Sequence, residues 1–193
     1  MWLRGCKFPT YDANVRKGAA AVGSLFFLVL APGATGALIP WLLTGWHERL
    51  PPPHPAIRLA GLVLIVAGAA VLLSAFARFV LEGRGTPAPI APTQKLVVGG
   101  LYRYVRNPMY LAVTATIVGQ ALLLGLLELL AYAALFLATT AAFARWYEEP
   151  TLRQQYGPEY EGYRRAVPGW WPRIRPWKSP EPAETRPHRP APN

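Results

Sequence analysis

The sequence NPMYLAVTATIVGQALLLGLLELLAYAALFLATTAAFA occupies residues 107–144, and Glu128 is its only Asp, Glu, Lys or Arg. A helix of roughly 20 apolar residues crosses a bilayer core, so this stretch is far too long for one span. It predicts a tight helical hairpin that turns between Gly125 and Glu128. Glu128 is then expected at the membrane interface.

Two further apolar blocks, residues 18–46 and 59–77, contain no Asp, Glu, Lys or Arg. The first exceeds the thickness of a bilayer core, so it must tilt, kink or break, and Pro32-Gly33 and Pro40 are the expected places. The second predicts a helix over about residues 56–81. Its Gly61 and Gly68 allow a neighbouring helix to approach closely.

The composition excludes an ordinary soluble enzyme. The 193 residues are 52% hydrophobic and 16% charged, whereas about a quarter of a soluble domain is charged. The net charge of +10 lies mostly between and after the apolar blocks, which favours anionic lipid headgroups over nucleic acid as its partner. The single cysteine, Cys6, excludes an internal disulfide and a Cys-cluster metal site.

The distribution of Lys and Arg predicts the topology. There are four in residues 1–17, two in 47–58, four in 82–107, none in the hairpin turn and nine in 145–193. Because cytoplasmic segments are enriched in Lys and Arg, this alternation predicts four spans with both termini in the cytoplasm. The loop 82–107 and the C-terminal part of the chain then share the cytoplasmic face.

The predicted fold is therefore all-α: a multi-pass membrane protein with one domain over residues 1–175. An amphipathic helix is expected on the cytoplasmic side after Arg145, ending near Arg165. Trp170, Trp171 and Trp177 are predicted to anchor the chain at the interface. Residues 176–193 are Pro-rich and are predicted to be a disordered tail.

The first polar cluster on the shared face is QKLVVGGLYRYVRNPMY, residues 94–110. In a purely structural interpretation Asn107 and Pro108 begin a helix, the tyrosines belong to an aromatic belt, and the arginines follow the positive-inside bias. In a functional interpretation, a glycine-rich loop and a helix N-terminus form a site for an anion or a carboxylate.

The second cluster is RWYEE, residues 145–149, where the last apolar helix leaves the membrane. Adjacent carboxylates late in a helix are unfavourable with its dipole, and an Arg145–Glu149 pair offsets this only in part. The cluster is either a solvated juxtamembrane face or a site for a cationic ligand.

Taken together, the two clusters resemble a known family. Arg106-Asn107-Pro108-Met109-Tyr110, a hairpin, Glu148-Glu149, then Tyr156-Gly157-Pro158-Glu159-Tyr160, Tyr163 and Val167-Pro168 occur in order. This pattern is similar to the isoprenylcysteine carboxyl methyltransferase and phospholipid methyltransferase family of integral membrane enzymes. The resemblance covers about residues 80–175.

The resemblance implies S-adenosylmethionine as cofactor and a lipid or prenylated acceptor. The glutamate that holds the cofactor's amino end corresponds to Glu148. The other cofactor positions carried over from the family are Gln94, Lys95, Leu96, Val97, Tyr102, Asn107, Pro108, Met109 and Tyr110. The chemistry of the cofactor adds two expectations: Arg106 suits its carboxylate, and the rings of Tyr102, Tyr110 or Trp146 suit its sulfonium.

One departure from the family concerns the expected histidine, which is Asn107 here. Asparagine donates and accepts hydrogen bonds but does not titrate near neutrality. A mechanism that uses this side chain as a base is therefore doubtful. Arg145, three residues before Glu148, is the candidate for the family's substrate-binding arginine.

The acceptor stays open between three chemistries. A prenylcysteine carboxylate is already ionised and needs only a cation such as Arg145 to orient it. A phospholipid amine or a small thiol must lose a proton, and Glu149 is the candidate base. The missing histidine favours the carboxylate.

A non-catalytic membrane protein, such as a small channel or an assembly subunit, is the competing class. Its polar residues would lie inside the spans. Here the spans hold a few hydroxyls and Gln120 without a charge pair, which argues against a conduction path. Thr114 and Gln120 are expected to make hydrogen bonds between helices.

Overall fold

The computed structural model describes residues 29–49, 51–78 and 96–178, and the regular elements in these ranges are all helical. The α-helices are α1 (Ile39–Thr44), α2 (Pro55–Arg78), α3 (Pro108–Leu124), α4 (Leu127–Phe143) and α5 (Glu149–Ala166). The N-terminal basic segment, the loop 83–89, Gln94, Lys95 and the tail from residue 179 lie outside the described residues.

The predicted hairpin is confirmed. Helix α3 ends at Leu124, and α4 begins at Leu127. Between them Gly125 has a left-handed φ of 74°, a conformation that glycine adopts more easily than other residues because it has no side chain. Ile117 of α3 and Leu129 of α4 are both fully buried in the core between the two helices. Glu128 is exposed at the turn, and its place at the membrane interface stays a prediction.

Glycines set the distance between α2 and α3, as the sequence predicts. A Cβ atom added at Gly61 would lie 2.6 Å from the carbonyl oxygen of Gly119, and one added at Gly68 would lie 2.7 Å from that of Ala112. These contacts run in opposite directions along the two helices, so α2 and α3 are antiparallel. Backbone packs directly on backbone here because neither position has a side chain.

The described part of the first apolar block, residues 29–46, changes helix type along its length. Residues Val29–Leu38 form a π-helical stretch that contains Pro32, and α1 follows with Pro40 in its first turn. Gln120 of α3 ties this segment to the hairpin: its amide donates to the carbonyl of Gly36 at 2.7 Å and accepts from the indole of Trp46 at 3.0 Å.

The Gln120 bonds confirm its predicted interhelical role. The other polar residue given that role behaves differently, because the Thr114 hydroxyl donates to the carbonyl of Tyr110 within α3. The prediction for Thr114 is wrong, since a hydroxyl on a helix can satisfy itself on the preceding turn.

Among the residues that the structure describes, two helices are long and apolar enough to cross a membrane. They are Pro55–Arg78 and the continuous helix Leu127–Ala166, which comprises α4, a π-helical turn over Ala144–Glu148, and α5. Leu30–Thr44 and Pro108–Leu124 are shorter apolar helices. Large apolar side chains cover the outer surfaces, for example Leu62 and Val66 of α2, as expected where lipid replaces water. The count of four spans stays a prediction.

Candidate active site

The start of α3 and the C-terminal segment (residues 167–178) are joined through their main chains. The amide of Arg106 donates to the carbonyl of Pro168 at 2.9 Å, and that of Asn107 donates to the carbonyl of Gly169 at 3.2 Å. Further along, the amide of Arg173 donates to the carbonyl of Tyr104 at 3.0 Å. The two segments that the sequence places on one face of the membrane therefore meet.

Asn107 occupies the N-cap position of α3 and Pro108 its first turn, as predicted. The Asn107 side chain, however, makes no capping hydrogen bond. The main-chain contact with Gly169 fixes Asn107 instead, so its amide group is not needed by the helix. Pro108 is buried.

Glu149 lies at the centre of an arginine cluster. Its carboxylate accepts from Arg106 at 3.0 Å and from Arg164 at 3.2 Å, and the exposed Arg145 lies at 3.5 Å. The side chains of Arg106 and Glu149 are only 14% and 13% exposed. Several guanidinium groups favour the ionised carboxylate, which makes Glu149 a weak base.

The side chain of Arg106 has three protein partners. Besides Glu149, it donates to the hydroxyl of Tyr160 at 3.1 Å and to the carbonyl of Val167 at 3.0 Å. One guanidinium thus connects the loop, α5 and the C-terminal segment. This arrangement suits a structural role better than the expected contact with the cofactor's carboxylate.

Glu148 has different surroundings although it is the next residue. Its carboxylate accepts a short hydrogen bond of 2.6 Å from the hydroxyl of Tyr110, and within the described ranges no Lys or Arg lies within ion-pair distance of it. Glu148 is half-buried. A partly desolvated carboxylate without a cation nearby is suited to a positively charged ligand.

The three rings predicted to contact the sulfonium, those of Tyr102, Tyr110 and Trp146, differ in their surroundings. The Tyr110 ring lies beside Glu148, and the Trp170 ring stacks on it with centroids 6.2 Å apart. Trp146 is 79% exposed, and Tyr102 is 7% exposed. Burial raises the pKa of the Tyr102 hydroxyl well above its ordinary value, so this side chain remains neutral. Tyr110 hydrogen-bonds the Glu148 carboxylate, and the buried Tyr102 hydroxyl lies close enough for the Glu148 charge to act on it.

The remaining predicted cofactor residues pack into small cores beside this carboxylate. Val97 and Tyr102 are buried together with Ala75 of α2, and Met109 packs on them. Leu96 packs against the cluster of Tyr160, Tyr163 and Val167, and the Tyr163 hydroxyl donates to the carbonyl of Tyr102 at 2.7 Å. These contacts position the loop. Gln94 and Lys95 lie outside the described residues.

Several residues of the site were not singled out for it in the sequence. Arg164 carries no local signal for its contact with Glu149, because α5 must first kink at Gly157 to bring it there. Trp170 and Trp177 were predicted as interfacial anchors, but they pack on Tyr110 and Tyr163. Trp171, 82% exposed, remains as the anchor candidate.

Two cavities lie away from this cluster. One of about 540 Å³ opens on the first apolar segment and is lined by Ala34, Ala37 and Trp41, among others. The other, about 410 Å³, reaches Gln120 and Leu124. None of the predicted site residues lines either cavity.

A family model described as phospholipid methyltransferase matches residues 57–159, which is more than half of the chain. The match includes α2, the loop, the hairpin, Glu148 and Glu149, and it confirms the resemblance inferred from the sequence motifs. Comparison with curated proteins and with solved structures gives no match. Tyr110 and Glu148 both lie inside the matched region. The chain therefore belongs to the phospholipid methyltransferase family. This family is part of the group of integral membrane methyltransferases that also includes the isoprenylcysteine carboxyl methyltransferases.

Proposed function

We propose that this protein is an S-adenosylmethionine-dependent methyltransferase that acts on a membrane-embedded acceptor at the cytoplasmic face. The observation that carries the proposal is the half-buried Glu148 carboxylate beside Tyr110, inside the region that matches the family. A methyltransferase needs a site for a small cationic donor, and this is the place in the described chain that suits one.

The residues at this place fit the cofactor. The Glu148 carboxylate is a partner for its ammonium group, because charge-assisted hydrogen bonds are among the stronger ones in proteins. The Asn107 amide, which α3 does not use as a cap, can donate to its carboxylate. When bound, S-adenosylmethionine supplies an electrophilic methyl group. The contribution of the protein is then to position the acceptor and to exclude water.

The surroundings of Glu149 favour an acceptor that needs no deprotonation. Asn107 does not titrate, and Glu149 is held ionised by Arg106 and Arg164. A prenylcysteine-type carboxylate is already ionised and can be methylated directly. Arg145 is 63% exposed and keeps donors for such a group, because a guanidinium can grip a carboxylate with two hydrogen bonds.

A phospholipid amine is the second candidate acceptor, favoured by the description of the matching family. Its nitrogen must lose a proton before attack, and Glu148 and Glu149 are the carboxylates close to the site. Transfer to a small thiol needs the same step. These acceptors are therefore chemically more demanding for this set of residues.

The test uses the full-length protein purified in detergent, radiolabelled S-adenosylmethionine and three acceptor classes: prenylcysteine, phospholipid and thiol. We expect a labelled methyl ester of the prenylcysteine, recognised because mild alkali releases its label. Alkali-stable label on a phospholipid amine would show that the substrate is the second candidate acceptor and not the prenylcysteine carboxylate. If none of the three is labelled although the protein is folded, the proposed function is wrong.

A further inference from the structure

Trp170 closes one side of the cluster around Glu148. It is half-buried, and its ring lies at 22° to the Tyr110 ring, with centroids 6.2 Å apart. The hydroxyl of the same Tyr110 binds Glu148 at 2.6 Å. The Glu148 carboxylate, the Tyr110 ring and the Trp170 ring therefore lie side by side in this order.

The position of Trp170 is fixed by the chain on both sides of it. The carbonyls of Pro168 and Gly169 accept from the amides of Arg106 and Asn107, and Arg173 donates back to Tyr104. Gly169 is buried, and a Cβ atom added there would lie 3.2 Å from the Arg106 guanidinium. The C-terminal segment thus holds the indole against the start of α3 by main-chain contacts.

These contacts distinguish Trp170 from the neighbouring Trp171. Trp171 is 82% exposed, as expected for a residue at a lipid interface. Trp170 faces the carboxylate cluster instead. The two adjacent tryptophans therefore have separate roles.

The order of these three groups matches the two positive charges of S-adenosylmethionine, the cofactor that the proposed function requires. A short aliphatic chain separates its ammonium from its sulfonium. If the ammonium binds Glu148, the Tyr110 and Trp170 rings would be the groups to hold the sulfonium. The face of an indole attracts cations more strongly than other aromatic faces do, and a half-buried site strengthens this attraction.

Building on the proposed function, we propose that Trp170, together with Tyr110, binds the sulfonium of S-adenosylmethionine and thereby distinguishes the methyl donor from its demethylated product. S-adenosylhomocysteine keeps the ammonium but has a neutral thioether in place of the sulfonium. The indole therefore attracts the donor more strongly than the product, whose thioether carries no charge. This difference assists release of the product after each methyl transfer.

The test is calorimetric titration of the purified protein in detergent with S-adenosylmethionine and, separately, with S-adenosylhomocysteine. The variants are Trp170→Leu, Trp170→Phe as the conservative change, and Trp171→Leu as the matched control. We expect Trp170→Leu to weaken binding of the methyl donor about 2- to 30-fold and to leave binding of the product within twofold of wild type. Trp170→Phe should give an intermediate loss, and Trp171→Leu should change neither.

A purely structural role for Trp170 would weaken both ligands equally in both variants at this position. That result would overturn the inference and leave the proposed function intact, as would unchanged affinity for the methyl donor. Failure of the wild-type protein to bind either ligand would overturn the proposed function and this inference together.

Discussion

Glu148 and Glu149 are adjacent in the chain, yet their carboxylates have opposite partners. Glu149 is enclosed by arginines from the loop and from α5, while Glu148 accepts from the Tyr110 hydroxyl. The pair as a sequence feature indicates only an unusual concentration of negative charge. The structure distinguishes a carboxylate that holds elements together from the one that we propose binds the cationic cofactor.

Loss of the Glu149 charge should destabilise the protein more than it affects cofactor affinity. In Glu149→Gln, the mostly buried Arg106 loses its carboxylate partner, which costs roughly 1–3 kcal/mol. Thermal unfolding in detergent should show a lower Tm, with affinity for S-adenosylmethionine retained. An unchanged Tm would mean that the arginine cluster does not hold the loop and α5 together.

Arg145 should act on the acceptor rather than on the cofactor. Arg145→Lys keeps the charge but loses the two-pronged geometry, so methyl transfer to a carboxylate acceptor should fall about tenfold with cofactor affinity intact. Arg153→Lys is the matched control, because Arg153 also lies within an ion-pair distance of Glu149, at 4.0 Å. Full turnover in Arg145→Lys, or a loss equal to that of the control, would contradict this role.

At the scale of helices, apolar patterning and glycine predict most of what the structure contains. The length of the apolar stretch 107–144 requires a turn, which lies at Gly125, and Gly61 permits the close approach of α2 to α3. The kink of α5 at Gly157 and the course of residues 167–178 are less predictable. They depend on long-range contacts such as that between Arg106 and Val167, which no local pattern contains.

The close packing of α2 on α3 leads to a test of stability. A Cβ atom at Gly61 would lie 2.6 Å from the backbone oxygen of Gly119, so Gly61→Ala should separate the helices at a cost of about 1–3 kcal/mol. Gly162 in α5 has no atom within 4 Å of such a Cβ. Gly162→Ala should therefore be neutral or slightly stabilising, because alanine favours helix. Equal Tm values for the two variants would argue against tight packing of α2 on α3.

At the scale of the whole molecule, the sequence predicts the family and the meeting of two distant segments. It predicts the residues of the candidate site only in part. Tyr110 and Glu148, two positions that the resemblance implies for the cofactor, are in contact, whereas Arg106 is engaged by the protein and Trp146 is exposed. Arginine and tryptophan are common at membrane interfaces as well as in ligand sites. Their residue type therefore does not identify which ones enter the site.

The four-span topology makes a prediction about sidedness. In a Cys6→Ser background, single cysteines at His54 and at Lys178, both exposed, should react with a membrane-impermeant reagent from opposite sides of the membrane. The residue at position 54 should label from outside and that at 178 from the cytoplasm. Labelling of both from one side would exclude four spans with cytoplasmic termini.

The central claim is that Glu148 holds the amino end of S-adenosylmethionine. Calorimetric titration of the wild-type protein and of Glu148→Gln in detergent tests it directly, with circular dichroism to verify that the variant is folded. Loss of one charge-assisted contact costs roughly 1.5–3 kcal/mol, so we predict that the affinity falls about 10- to 150-fold. Unchanged affinity in the folded variant would contradict the claim.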